Sequence, residues 1–336
     1  MATNQGQFRV ESEHIYQNLS VSKDNLELGK LIARGASCEV YRGKLTTPDG
    51  IKDVAVKTLL KYEIDDEDRD EGIPEEIIFL KSLEHRNIVQ FVGMVMVPGE
   101  PIRIVTELAA KGSLYGYLKK IRSNSGDDSR RLPSKLFIIW TMDAVYAIQF
   151  LQRMNVAHRD IKSMNFVITD EDVLKLCDFG IAKNMEATIE MAIAVGTVHW
   201  MAPEIFKNRV FSFASDVYSF GIMVWEMYTC EEPYRGMNSM QIMWAVGNDG
   251  TRPEIPADCP GNIRDLLVRC WQGDRKLRPK IDEVVKCLED VYHYRERGKC
   301  WRILYLRPSK YKNMFHVWVL GNRRKRAFSI FIGKQT

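Results

Sequence analysis

Residues His158 to Gly180 read HRDIKSMNFVITDEDVLKLCDFG. Four chemically distinct side chains follow one another at close, ordered spacings: an acid at Asp160, an amine at Lys162, an amide at Asn165 and a second acid at Asp178. The set suits moving a phosphoryl group from a magnesium nucleotide to a hydroxyl, a reaction in which positioning and electrostatics supply most of the catalysis. Asp160 would accept the proton of the incoming hydroxyl, and Lys162 would neutralise the transferring group. Asn165 and Asp178 offer the hard oxygen ligands that magnesium takes. His158 and Arg159 would hold the loop. For any one of these residues a plain loop with a local ion pair is the alternative, and the joint spacing argues against it.

Working outward, the segments LELGKLIARG from Leu26, CEVYRGKL from Cys38 and DVAVKTLL from Asp53 alternate apolar and polar residues. They are broken by TTPDG, and this is the pattern of successive antiparallel strands. Two further alternating runs, NIVQFVGMVMV and PIRIVTEL, raise the expected sheet to five strands. Lys57 closes the apolar run Val54-Ala55-Val56, where a desolvated ammonium needs an anionic partner. The expected partner is Glu76 in EEIIFLKSLEH, a helical pattern that Pro74 could start. The acid-dense stretch KYEIDDEDRDEG before it reads as a solvated linker. After Gly112-Ser113-Leu114 the spacing becomes helical. The polar insert RSNSGDDSRR then separates a short helix from a long one in SKLFIIWTMDAVYAIQFLQRM, which is apolar nearly all round and should lie at the centre of a helical lobe.

Together these motifs resemble protein kinases. The match covers roughly residues 26–294, with Met201-Ala202-Pro203-Glu204 closing an activation segment over 181–200. The implied fold is α+β and bilobal: a small antiparallel-sheet lobe with one main helix (26–106), a hinge (107–111) and a larger, mostly helical lobe (112–294). Residues 1–25 form an arm and 295–336 a basic, aromatic tail. The resemblance implies ATP and Mg2+ as cofactors. It assigns catalysis to Asp160, Lys162, Lys57 and Glu76, and metal binding to Asn165 and Asp178. Nucleotide binding falls to Ala33, Gly35, Val40, Ala55, Lys57, Thr106, Glu107 and Ala109, with Thr106 as a small gatekeeper and Leu80 packing towards Phe179. Asp216 would anchor the catalytic loop and Arg278 would pair with Glu204. Thr188 and Thr197 are the hydroxyls of the activation segment. Thr197 matches the threonine that contacts the catalytic Asp and Lys in serine/threonine kinases, and Thr188 is the candidate phosphorylation switch, since a phosphate there could pair with Arg159.

Lys162 with Thr197 points to serine or threonine acceptors. GTVHWMAPE, Ile242-Met243-Trp244-Ala245-Val246, Gly250-Thr251-Arg252-Pro253 and Cys177 resemble the tyrosine-kinase-like branch, and within it the TGF-β-activated kinase group of mitogen-activated protein kinase kinase kinases. This implies a MAP kinase kinase as substrate and an activating adaptor. The phosphate lid departs from the pattern. Of three glycines only Gly35 is kept, Ala33 and Cys38 stand at the other two positions, and a stiffer, more crowded lid should result. That departure motivates a rival expectation, a pseudokinase scaffold with weak or no ATP turnover.

With 336 residues and 45% hydrophobic content the chain can bury a large core. Its first residues have no signal-peptide character and no window holds about 18 uncharged apolar residues, so neither secretion nor a membrane span is expected. Cytoplasmic residence is the resulting expectation. Seven scattered cysteines without a CxxC pair argue for reduced thiols and against a zinc module. The formal net charge of +4 hides an asymmetry: residues 293–336 hold 12 Lys or Arg and one acid, which leaves about −7 on the rest. Arg323-Arg324-Lys325-Arg326 reads first as a loose basic extension with no dedicated partner; a nuclear address, an anionic-lipid contact and, ranked lowest, a nucleic-acid patch are the alternatives, and Gly321-Asn322 could turn a hairpin.

Overall fold

The computed structural model describes residues 19–35, 38–63, 75–123, 131–178 and 198–296, together with the short segments 307–308 and 315–316. The chain divides into two compact units, one of Met1–Leu114 with Phe166–Ala182, the other of Tyr115–Asn165 with Lys183–Thr336.

The first unit is built on five antiparallel strands: β1 (Leu26–Arg34), β2 (Cys38–Thr47), β3 (Gly50–Glu63), β4 (Phe91–Val95) and β5 (Pro101–Glu107), in the order β1-β2-β3-β5-β4. Pro48-Asp49 forms the tip between β2 and β3, with Thr47 paired to Gly50 and Gly50 at φ +121°. The alternation seen in the sequence sorts side chains onto two faces. Val54, Val56, Val105 and Leu45 form one cluster. Leu59, Phe91, Met94, Ile102 and Ile104 form the other, with Ile77 of helix α1 (Glu75–Ser82) and with Leu80 packed against it. Lys57 pairs with Ile104 across the sheet and so shares the face that meets α1.

Residues up to 25 read as an arm, yet from Leu19 the chain is part of the fold. Leu19 is buried in the α1-side cluster, Ser20 bridges to Met94 in parallel, and the Val21 N–H donates to the Met94 carbonyl at 2.8 Å. This strap covers the outer edge of β4. It passes so close to Gly93 that a Cβ there would run into the Val21 side chain.

The first unit also holds the hairpin of β6 (Phe166–Ile168) and β7 (Leu174–Leu176). The second unit begins within α2 (Leu114–Ser123) and is organised by α3 (Ser134–Arg153) and α5 (Phe213–Thr229). Helix α3 is long and apolar enough to cross a membrane by length and composition, and Trp140, Ala144, Val145, Ala147 and Ile148 on it are fully buried in the fold. A capping box of Ser212 and Ser215 starts α5, satisfying donors that the first turn leaves open. Around these lie α4 (Pro203–Asn208), α6 (Ser239–Trp244), α7 (Gly261–Cys270) and α8 (Ile281–Glu296). Gly221 lets α5 approach α7 closely, because a Cβ there would stand 2.7 Å from that of Cys270.

No disulfide joins the cysteines among the described residues. In the tail, Arg307–Pro308 pairs antiparallel with Phe315–His316, while the turn expected at Gly321-Asn322 lies outside the described residues.

Candidate active site

Within the first unit, Lys57 Nζ is paired directly with the Asp178 carboxylate. Burial works against the Lys57 charge, but the pull of Asp178, helped by the nearby thiols of Cys38 and Cys177, outweighs it and raises the pKa above the usual lysine value. Glu76, the partner expected from sequence, lies on α1 with its side chain outside the described residues. Asp178 itself adopts φ 58°, a left-handed conformation unusual for a residue with a side chain. The strand leading to it is clamped from the side. Leu176 N–H donates to the Asn87 carbonyl at 2.8 Å, Asn87 Nδ2 donates to the Leu174 carbonyl at 3.1 Å, and Val89 N–H donates to the Leu176 carbonyl at 2.9 Å.

The lid is a β1-β2 hairpin in which Ala33 faces Val40 and Arg34 faces Glu39. Gly35 N–H donates to the Cys38 carbonyl at 2.8 Å, closing the hairpin, and a Cβ at Gly35 would meet only ordinary van der Waals contacts. The Cys38 side chain packs on the Leu59 cluster. Ala55 pairs with Thr106 beneath the lid. Glu107, at the end of β5, accepts from the Gln90 N–H at 2.7 Å and from Lys175 Nζ at 2.6 Å. Beyond it, the Ala109 carbonyl accepts the Gly112 N–H in a turn. Lys111 pairs with Asp172 at 2.7 Å, so two ion pairs tie the hinge stretch to the β6-β7 hairpin.

Within the second unit, Asp160, Lys162 and Asn165 come together. One carboxylate oxygen of Asp160 accepts from Lys162 Nζ at 2.9 Å and from Asn165 Nδ2 at 3.0 Å. Asn165 Nδ2 also donates to the Asp160 carbonyl at 2.7 Å, which leaves Oδ1 as its available oxygen ligand. The backbone beneath turns at Arg159, which adopts φ 67°. Asp216 at the start of α5 fixes that strained bend, accepting the N–H groups of His158 at 2.8 Å and Arg159 at 2.9 Å. Burial pushes the Asp216 carboxyl up to about 7 despite those bonds.

Arg278 donates twice to Glu204, both at 2.7 Å, with its side chain wholly buried. Nearby, Glu226 on α5 accepts from Ser163 Oγ at 2.9 Å and from Trp200 Nε1 at 3.0 Å.

A family profile described as protein tyrosine and serine/threonine kinase matches residues 26–288. The chain belongs to this family. Among curated kinases it is similar to the probable serine/threonine-protein kinase SIS8 of Arabidopsis thaliana, 36% identical over 79% of this chain and 25% of the relative. The serine/threonine-protein kinase STY46 of the same plant is 32% identical over 81% of this chain and 45% of its own length. The putative serine/threonine-protein kinase/receptor R826 of Acanthamoeba polyphaga mimivirus is 36% identical over 79% of this chain and 15% of its own. This kinase chain thus spans less than half the length of these relatives.

Phe179, Gly180, Thr188 and Thr197 lie outside the described residues. Four contributors escaped the sequence reading. Lys175, Asn87 and Ser163 carry no signal in a single sequence. Glu226 does carry one, since an acid inside GIMVWEMYT must be buried and therefore hydrogen-bonded.

Proposed function

We propose that the chain is a serine/threonine protein kinase that transfers the γ-phosphoryl of ATP to hydroxyls of a protein substrate, a MAP kinase kinase in a MAP kinase cascade. The observation that carries this is the Asp160 carboxylate held between Lys162 and Asn165, a side-chain set suited to taking a hydroxyl proton while shielding the phosphoryl charge. Lys57, kept charged by Asp178, would bind the α- and β-phosphates. Asn165 Oδ1 and the Asp178 carboxylate would each offer an oxygen donor of the kind magnesium takes. When bound, that ion would neutralise the nucleotide phosphates.

Serine and threonine acceptors follow from Lys162 and Thr197, and the TGF-β-activated group from the resemblance around Trp244 and Cys177. Thr188 would be the switch on the activation segment. An activating adaptor and cytoplasmic residence, with nuclear entry through the basic tail, complete the proposal. Deleting residues 300–336 from a tagged chain should then shift its distribution.

Purified chain with labelled ATP and magnesium, given candidate downstream kinases, should label serine or threonine, and Asp160→Ala should not. Equal labelling by both would instead support the second reading, a pseudokinase scaffold. Gly35 favours that alternative, because its N–H is already engaged by the Cys38 carbonyl rather than open to a phosphate.

A further inference from the structure

Helix α1 is eight residues long, too short to keep its shape without packing. Ile77, 1% exposed, and Leu80 tie it to the sheet in the cluster of Leu59, Phe91, Met94, Ile102 and Ile104. Among the described residues one further buried member of that cluster belongs to neither helix nor sheet. It is Leu19, 2% exposed, which reaches the cluster from the strap outside β4. Two residues on, Val21 packs on the opposite cluster of Leu45, Val54, Val56 and Val105. The strap therefore straddles the side of the sheet with one apolar side chain on each face, and Ser20 between them is exposed.

Few bonds hold it there. The Val21 N–H donates to the Met94 carbonyl at 2.8 Å, and Ser20 bridges to the same residue. Lys23 pairs with Glu100 at 2.5 Å, but at 51% and 28% side-chain exposure such a pair adds little. The seat itself depends on Gly93. A Cβ there would collide with Val21 Cγ2 and stand 3.2 Å from the Leu19 carbonyl oxygen, and a β-branched side chain has little freedom to turn away. A segment held by so few bonds belongs to the parts of a fold that open most readily.

We infer that the strap is a positioning element for α1, with Leu19 as its positioning residue. Seated, it holds the helix that carries Glu76 against the face that carries Lys57; lifted, it lets that helix move. Phosphoryl transfer is then set from a stretch that precedes the family match at residue 26. This deepens the kinase reading and rests on it.

Five variants of the full chain test it: Gly93→Ala, Val21→Ala, the two together, Leu19→Ala and Leu19→Met. Each is followed by steady-state kinetics and by hydrogen exchange of the α1 amides. Gly93→Ala should evict the strap and Leu19→Ala should empty its seat. Either should lower kcat roughly tenfold at unchanged acceptor-peptide KM and speed exchange in α1 by a similar factor, with the β2 and β3 amides unmoved. Val21→Ala alone acts on the other face and should leave both readouts near wild type. Joined to Gly93→Ala it makes room, because the Val21 Cβ lies 3.6 Å from the added methyl position, and the pair should recover most of the lost rate. Leu19→Met keeps the volume and should behave as wild type. A Gly93→Ala chain that melts early yet keeps its kcat, a pair no faster than Gly93→Ala alone, or α1 exchange that no variant changes would each overturn the inference. Exchange also separates the two claims: if α1 follows these variants in a chain that transfers no phosphoryl, the hold of the strap on the helix stands and the kinase reading fails.

Discussion

Replacing Arg278 by Met removes a wholly buried charge from the second unit. The guanidinium has 0% side-chain exposure and Glu204 10%, so neither charge can turn to water once its partner is gone. Removing one member of such a pair costs about 3–5 kcal/mol, because the cost is that of stranding the other charge. Arg278 does more than pair. It also donates to the Gln272 carbonyl at 2.8 Å and the Ala214 carbonyl at 2.9 Å, and stands 4.9 Å over the Tyr218 ring. Arg278→Met therefore loses two bonds to backbone carbonyls as well as stranding a carboxylate, and belongs at the upper end of that range. Glu204→Gln keeps its shape, and its new amide can still meet Ser215, now 3.2 Å from the carboxylate, so it belongs at the lower end. At about 2–4 °C per kcal/mol for a unit of this size, thermal unfolding should fall by on the order of 10 °C or more for Arg278→Met. The double variant should lose distinctly less than the sum of the singles, since no lone charge remains. Circular dichroism melts of the four proteins decide it. Singles within 1 °C of wild type, or fully additive losses, would refute the reasoning.

Lys57→Met should lower phosphoryl transfer by roughly a hundredfold or more while leaving the circular dichroism spectrum intact, and an unaffected rate would show that the Asp178 pairing is structural. Gly221→Ala should destabilise by about 1–3 kcal/mol through the clash with Cys270, read as a lower urea midpoint, and a neutral result would mean that α5 and α7 can separate without cost. Asp216 and Glu226 ionise near 7 in the fold against ordinary values of 3.8 and 4.5, so between those limits the folded chain holds more protons than the unfolded one. Their contribution to stability is full below about pH 4 and is lost as pH rises through about 7. Relative to an Asp216→Asn/Glu226→Gln variant, the wild-type urea midpoint should fall between pH 5 and pH 8, and parallel midpoints would contradict the assignment.

What the sequence made legible was local. Period-two alternation placed Lys57 on the face that carries Ile104 and Leu59, and the tight spacing from Asp160 to Asn165 brought three side chains into one cluster because a short loop cannot separate them. The anchors Asp216 and Arg278 were readable through family resemblance rather than from any rule of spacing. Contacts made across long stretches of chain were not. Lys175 meets Glu107 and Asn87 meets Leu174 through side chains whose neighbours in sequence say nothing about the pairing. The early part of the chain misled for another reason. Leu19 and Val21 are two apolar residues in a polar context, too few to show a period, and packing against a sheet edge supplies what the pattern could not.

That edge packing bears on how the molecule can be trimmed. Recognisable kinase sequence starts at Leu26, yet a chain cut back to that residue would open a notch beside Met94 and unmask the amide row of β4. Uncovered strands of this kind recruit one another, and the shortened protein should precipitate where the longer one stays in solution. The stable limit of the sheet therefore lies upstream of the point where the family likeness begins.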